Sequence, residues 1–173
     1  MRPVTGRPGA IRRRLYAGPD GRPTALMRLV NRVDARLYAG GRLVPAQAAT
    51  LEVVGRRSGR AVRVPVAVVD LAGERYLVAM LGERTNWVRN VRAAGGRAAL
   101  HRRVRREVVL EEVPVERRAP VLQRYLAVAP GARAHIPVHR RAPVAEFERI
   151  ADRYPVFRVR FREPSGSAGD CSR

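Results

Sequence analysis

The residues with the clearest chemical potential lie in two short polar segments that interrupt apolar stretches. The first, residues 55–60, places guanidinium groups around a serine and two glycines directly after a strand-like run. Arginine side chains and the backbone N–H groups of such a turn can converge on phosphate or carboxylate oxygens. The second, residues 86–90, sets Trp87 beside the start of a helix-like run, where free N–H groups and the helix dipole favour negative charge. Together the two segments predict a cleft for a planar, anionic ligand.

Both segments also have a purely structural interpretation, which the sequence alone leaves open. Arginine-rich turns are often solvated surface. Trp87 is the only tryptophan of the chain, and it can pack a helix onto a sheet while leaving its own N–H or a neighbouring backbone N–H to a ligand. The binding and packing interpretations of Trp87 are therefore compatible.

Other polar residues do not form a familiar catalytic group. His135 and His139 are separated by Pro137, which disrupts the helical geometry that would direct both imidazoles to one metal ion, so we predict no metal site. Ser58 lies in no known nucleophile motif with His and Asp, which argues against a hydrolase. If the chain is an enzyme, a cofactor is expected to carry its chemistry. Tyr125 and His135 are the side chains to test as proton donors on the substrate side, and no other catalytic residue is assigned.

The composition is strongly basic. All 35 basic residues are arginine and the formal net charge is +20, which predicts attraction to anionic ligands, nucleic acid and acidic membranes. Without zinc-finger spacing or a base-stacking aromatic motif, no specific nucleic-acid partner is expected. The single cysteine, Cys171, indicates a reducing, cytoplasmic setting, and no apolar run is long enough to span a membrane.

The chain is expected to form one domain over residues 23–162, between a disordered Arg/Pro/Gly-rich arm at 1–22 and a flexible tail at 163–173. An amphipathic helix is predicted at 24–38, most clearly over 24–37. It packs on the domain or, through its arginine-rich side, makes a peripheral contact with an anionic membrane.

Within this domain the hydrophobic pattern predicts a mainly β protein with helices, of the α+β class. The predicted strands are 50–54, 62–71, 75–81, 98–103, 106–113 and 155–161, and the predicted helices are 85–94, 116–127 and 144–153. The strand connections are too short for parallel crossovers. We therefore expect five or six antiparallel strands in a closed or nearly closed barrel, with helices packed on its ends.

The runs GRRSGR, VRVPV, ERYLVAMLG and NWVRNVRAAG, in this order, resemble the deazaflavin-dependent nitroreductase family of actinobacteria and their relatives. The resemblance is close over residues 50–113 and looser through 116–127 and the last strand. It implies a split β-barrel of the FMN-binding superfamily that binds coenzyme F420, an 8-hydroxy-5-deazaflavin with a phosphodiester and a polyglutamate tail. It also implies an oxidoreductase that passes a hydride to a small electron-poor acceptor, either a quinone, a nitro compound or an activated alkene.

In this family the turn and a nearby basic residue hold the phosphate and tail, and the segment before the tryptophan lines the deazaflavin ring. The resemblance therefore implies that the cofactor is bound by Arg56, Arg57, Ser58, Gly59, Arg60, Arg63, Leu81, Gly82, Asn86 and Trp87.

This sequence differs from the pattern of the family at three points that bear on the assignment of cofactor-binding residues. Val62 occupies a position that is commonly basic in the family, and Arg63, one residue later, points to the opposite face of the strand unless a bulge intervenes. Leu81 lies where a polar or basic residue is frequent, so Arg60 or Arg84 is expected to substitute. The tyrosines that line the substrate pocket in some members have no clear match, which leaves the acceptor unassigned.

Several alternatives stay open at this point. A related split barrel would bind FMN or haem, and the phosphate-binding turn would serve FMN equally well. A protein that binds F420 without turnover, as a carrier, would carry the same motifs. The sequence does not distinguish a monomer from a homodimer.

Overall fold

The structure is a computed structural model that describes residues 46–162. The predicted arm at 1–22, the helix at 24–38 and the tail at 163–173 lie outside these residues. No helix within 46–162 is long and apolar enough to cross a membrane.

The described residues form six strands and three α-helices. The strands are β1 (Ala48–Val54), β2 (Ala61–Leu71), β3 (Glu74–Val78), β4 (Arg97–His101), β5 (Arg105–Glu112) and β6 (Val156–Phe161). The α-helices are α1 (Asn86–Ala93), α2 (Ala119–Val128) and α3 (Val144–Glu148), and short 3-10 turns lie at Val115–Arg117, Pro130–Ala134 and Ala151–Arg153.

The six strands close into an antiparallel barrel in the order β1-β2-β3-β6-β5-β4. Tight connections join β1 to β2, β2 to β3 and β4 to β5, and β6 returns from the helical region to fill the place between β3 and β5. The predicted fold class, an α+β split barrel of antiparallel strands, is confirmed. Closure leaves no unpaired sheet edge among these strands.

The barrel interior holds one apolar core. Alternate strand residues such as Leu51, Val53 and Leu77 point inward, as the period of two along a strand requires. Helix α1 closes one end of the barrel, because Trp87 and Val91 belong to the same buried cluster.

A second core lies outside the barrel wall. Val69 and Val78 face outward and are buried against α2 and α3 through Leu122, Leu126 and Phe147. The expectation that the helices cover the barrel ends thus holds for α1 only. Helices α2 and α3 cover the side wall because β2 and the start of β6 are apolar on both faces.

The predicted strand at 75–81 is too long. It ends at Val78, after which the N–H of Ala79 donates to the carbonyl of Pro155 and the chain turns through Gly82 at φ +80°. Residues 79–85 therefore form a connecting segment between β3 and α1. The predicted helices 116–127 and 144–153 are each split into a 3-10 turn and an α-helix.

The strand directions gather three features at one end of the barrel. Strands β1 and β3 are both antiparallel to β2, so the turn after β1 and the segment after β3 emerge at the same end. Helix α1 follows that segment directly. We call the turn 55–60, the segment 79–85 and helix α1 the site end of the barrel.

Candidate functional site

The turn at residues 55–60 is tightly closed on itself. The N–H of Gly55 donates to the carbonyl of Arg60, and the N–H of Gly59 donates to the carbonyl of Gly55, both at 2.8 Å. Gly59 has φ +63°, a conformation that side chains disfavour. A Cβ at Gly55 would lie 2.7 Å from Ser58 Oγ. The same Cβ would lie 3.2 Å from the carbonyl oxygen of Arg60, so the turn favours glycine at both positions.

Arg56 fastens this turn to helix α1. Its backbone N–H and its Nη1 both donate to Asn90 Oδ1, at 3.3 and 3.0 Å. Asn90 is buried in the second turn of α1. The structure thus brings together the two segments that the sequence singles out, and it gives Arg56 a structural contact in addition to its predicted part in binding.

Arg56, Arg57 and Arg60 are all exposed. Arg56 is bound to Asn90, whereas neither Arg57 nor Arg60 has a carboxylate partner among residues 46–162. Ser58 is also exposed, and its Oγ lies 3.4 Å from the backbone N of Arg60. These side chains are therefore available to an anionic ligand.

Arg63 lies elsewhere. The pairing of β1 with β2 is continuous without a bulge, so Val62 packs toward the barrel interior and Arg63 lies on the outer face. There its Nε donates to Glu52 Oε2 at 2.7 Å. Arg63, which the resemblance places in the cofactor site, is thus on the opposite face of the strand from Val62, because no bulge intervenes, and it is paired with a carboxylate.

The start of α1 offers backbone donors. Thr85 is the N-cap residue, but its hydroxyl donates to the carbonyl of Gly82 at 2.6 Å and makes no capping bond to the helix. The first turn carries no acidic side chain. Its amide groups and the helix dipole are thus left to attract an anion, and Asn86 lies at this position.

Trp87 serves the barrel core. It is only 6% exposed, and its ring centroid lies 5.4 Å from that of Phe157 on β6. The packing interpretation of this residue is correct. The burial of Trp87 leaves little of the indole to a ligand, and its part in cofactor binding stays a prediction.

The segment 79–85 presents an apolar side chain to solvent. Leu81 is 48% exposed, and Val54, the last residue of β1 at the same end of the barrel, is 54% exposed. Gly82 allows the sharp turn, since a Cβ there would lie 3.0 Å from the carbonyl oxygen of Arg153. The site end thus combines cations with exposed apolar surface.

A four-residue ion-pair network, which the sequence analysis missed, lies behind this segment. Arg92 on α1 donates to both carboxylate oxygens of Glu83 and to both of Glu112. Arg118 also donates to Glu112, at 3.0 Å. The sequence did hold one indication of these ion pairs, because acidic residues are scarce in so basic a chain and each has many possible arginine partners. Which arginine pairs with which carboxylate is set by the tertiary fold.

Tyr125 and His135 lie in the helical layer on the side wall. Tyr125 is buried in the outer core, and burial raises the pKa of its hydroxyl. His135 is half-buried and follows the 3-10 turn Pro130–Ala134, where burial lowers the pKa of its imidazole. Neither residue belongs to the elements that form the site end.

Comparison with known proteins identifies the family of this chain. The family model described as F420H(2)-dependent quinone reductase matches residues 26–146, which is most of the chain. The chain belongs to the F420H(2)-dependent quinone reductase family. It is therefore an oxidoreductase, a reductase that depends on coenzyme F420 and acts on a small-molecule acceptor.

Several solved structures are similar to this family member. A protein of unknown function from Agrobacterium tumefaciens is similar with a TM-score of 0.51 and 14% identity, over 86% of this chain and 59% of that one. An F420-H2 dependent reductase, FDR-A, matches with a TM-score of 0.47 and 22% identity, over 68% and 97% of the two chains. A chain described as a domain-swapped dimer matches with a TM-score of 0.48 and 20% identity, over 78% and 99%. None of the curated proteins matches significantly.

The residues at the site end fit the chemistry of F420. A phosphodiester and a chain of carboxylates need hydrogen-bond donors and positive charge, and Arg57, Arg60, Ser58 and the amides of α1 supply both. Gly59 leaves open space, because a Cβ added at this residue would meet no atom within 4 Å, so an anion can approach the backbone there.

Proposed function

We propose that this family member binds F420 across the site end and reduces a quinone. The observation that carries the proposal is the attachment of the turn to α1 by Arg56 and Asn90. This contact fixes two sets of anion donors, the guanidinium groups of Arg57 and Arg60 and the amides of the helix, relative to each other.

In this proposal the guanidinium groups of Arg57 and Arg60, with Ser58 Oγ, hold the phosphate and the glutamate tail. The deazaflavin ring lies against Leu81 and Gly82 in the segment 79–85. The exposure of Leu81 supports this, since an apolar side chain at the surface gains from being covered by a planar ring. Gly82, at φ +80°, allows the turn that leaves Leu81 at the surface.

When bound, the reduced cofactor supplies a hydride to the acceptor, and the chain's own residues bind and orient it. The only acidic side chain in residues 79–85, Glu83, is held by Arg92, and this hydrogen bonding keeps the pKa of Glu83 below its ordinary value. It remains a carboxylate and does not donate a proton at neutral pH. We infer that solvent delivers the proton that completes quinone reduction.

The test begins with fluorescence titration of the purified protein with oxidised F420 and, separately, with FMN at physiological salt. We expect F420 to bind with a Kd in the micromolar range or below and FMN to bind more weakly. Preference for FMN, or no binding of F420, would overturn the proposed site.

The acceptor is tested next by following the oxidation of reduced F420 in the presence of a quinone, a nitroaromatic compound or an activated alkene. We expect the highest kcat/KM with the quinone. A higher value with the nitro compound or the alkene would reassign the acceptor while leaving the cofactor site intact. Tight binding of F420 without turnover of any acceptor would contradict quinone reduction.

A further inference from the structure

The segment 79–85 is anchored at its start, where Ala79 is buried in the barrel core and Met80 packs against the outer core, but beyond Met80 it has few polar attachments. Its backbone hydrogen bonds are local after Ala79, from the N–H of Gly82 to the carbonyl of Ala79 and from the N–H of Thr85 to the carbonyl of Gly82. Among the described residues, Glu83 is the one member of residues 80–84 whose side chain is hydrogen-bonded to another element, and it accepts two hydrogen bonds from Arg92. The partner of Glu83 is therefore expected to influence where residues 81–84 lie.

That partner, Arg92, makes two paired contacts. Its Nη1 and Nη2 donate to Glu83 at 2.6 and 3.0 Å, and its Nε and Nη2 donate to Glu112 at 2.8 and 2.6 Å. Such planar, paired contacts between a guanidinium and a carboxylate fix orientation as well as distance. With these N–H groups engaged, Arg92 is poorly placed to bind a ligand itself.

The far side of the network is rigid. Glu112 ends β5 and is shared with Arg118, which is buried. Arg118 in turn donates from Nε to the carbonyl of Val113 at 2.8 Å and from Nη1 to the carbonyl of Ala151 at 3.4 Å. Through Arg92, Glu83 is thus linked to Glu112 at the end of β5, and through Arg118 to the helical layer.

We propose that Arg92 is a positioning residue that holds the segment 79–85 in the arrangement that receives the ring of the cofactor. The proposal rests on the proposed function for the placement of that ring. It predicts that loss of the Glu83–Arg92 pair loosens the segment first and weakens F420 binding as a consequence, while the phosphate-binding turn stays in place.

The variant that tests this is Glu83→Gln, with Glu111→Gln as the matched control. Glu83 and Glu111 have side chains 47% and 45% exposed, and each pairs with arginine. Each substitution removes one negative charge from the surface. Glu111, however, pairs with Arg158 and Arg160 on β6, and its ion pairs among the described residues do not involve residues 79–85. A difference in amide exchange or in Kd between the two variants therefore reflects where the lost carboxylate lies and not the change in net charge.

The first measurement is amide hydrogen–deuterium exchange in the cofactor-free protein. We expect Glu83→Gln to speed exchange of the amides of Gly82 and Thr85, and Glu111→Gln to leave them unchanged. Equal exchange in Glu83→Gln and the unmodified protein would overturn the proposal, because the pair would then not order the segment. This readout needs neither cofactor nor turnover.

The second measurement is the Kd for F420 by fluorescence titration. We expect Glu83→Gln to raise the Kd by about threefold to tenfold, as for loss of an exposed but paired ionic contact, with no change in Glu111→Gln. Arg92→Lys, which keeps the charge but cannot make both paired contacts, should resemble Glu83→Gln. Faster exchange without a change in Kd would refute a role in positioning the cofactor. Failure of the unmodified protein to bind F420 would instead refute the proposed function, and the exchange result would still decide whether Arg92 orders the segment.

Discussion

Arg56 and Asn90, 34 residues apart, form the contact that joins the glycine turn to helix α1. One amide oxygen, Oδ1 of Asn90, accepts both the backbone N–H and the Nη1 of Arg56. A backbone donor and a side-chain donor of one residue thus share a buried acceptor, which fixes the turn in orientation as well as in position. The two segments with chemical potential in the sequence become one site through this contact.

Replacing Asn90 by alanine should therefore cost both stability and binding. The substitution leaves two donors of Arg56 without their acceptor and opens space beside the buried helix face, with an expected loss of about 1 to 3 kcal/mol in the free energy of unfolding. Urea denaturation measures this loss. Asn90→Asp, which keeps an oxygen acceptor at the same position, should lose less. Equal losses in the two variants would contradict the role assigned to Oδ1.

Arg57 and Arg63 allow a comparison at constant charge. Both are arginines of the same hairpin, but Arg63 is bound to Glu52 while Arg57 has no carboxylate partner among the described residues. Arg57→Ala should weaken F420 binding by about 1.5 to 3 kcal/mol, the range for a hydrogen bond to a charged group.

Arg63→Ala removes the same charge and should change the Kd for F420 only slightly. The measurement is the fluorescence titration at two salt concentrations, since a general charge effect weakens with salt for both variants alike. An equal loss of affinity in the two variants would show that the protein attracts F420 by net charge and not through this turn.

The features of this site that depend on residues close together in the sequence could be predicted from the sequence. The apolar strand-like runs and their short connections predicted the barrel, and the period of two along a strand predicted that Arg63, without a bulge, would face away from the side that Val62 occupies. Trp87 was open to two interpretations until its packing against Phe157 was known. The partners of Arg92 lie 9 and 20 residues away, on a connecting segment and on another strand. Nothing in the local pattern selects these partners, because they are brought together only when the barrel closes.

The half-buried His135 should make stability depend on pH. Burial lowers its pKa from the ordinary value of 6.5, so the unfolded state binds the proton more readily than the folded state. The corresponding stabilisation is fully present above about pH 6.5 and is lost as the pH falls through the lowered pKa. Urea denaturation from about pH 7.5 down to about pH 5 checks this, and His135→Asn should flatten the profile in this range. An unchanged profile in the variant would assign the pH dependence to other groups.

Tyr125 provides a test of where proton transfer occurs. Its ring is buried in the outer core and burial raises the pKa of its hydroxyl, so it holds its proton firmly and lies in the helical layer, away from the elements of the site end. Tyr125→Phe should therefore leave kcat for quinone reduction nearly unchanged and alter the free energy of unfolding by about 1 kcal/mol or less.

Tyr154→Phe is the companion variant for Tyr125→Phe. The hydroxyl of Tyr154 donates to the carbonyl of His135 at 3.0 Å, so its removal should destabilise the protein by about 0.5 to 1.5 kcal/mol and also leave kcat unchanged. A loss of kcat of about a hundredfold in Tyr125→Phe alone, the size expected for a missing general acid, would identify Tyr125 as the proton donor. In that case the acceptor would have to reach the helical layer, and solvent would no longer be the proton source in this reductase.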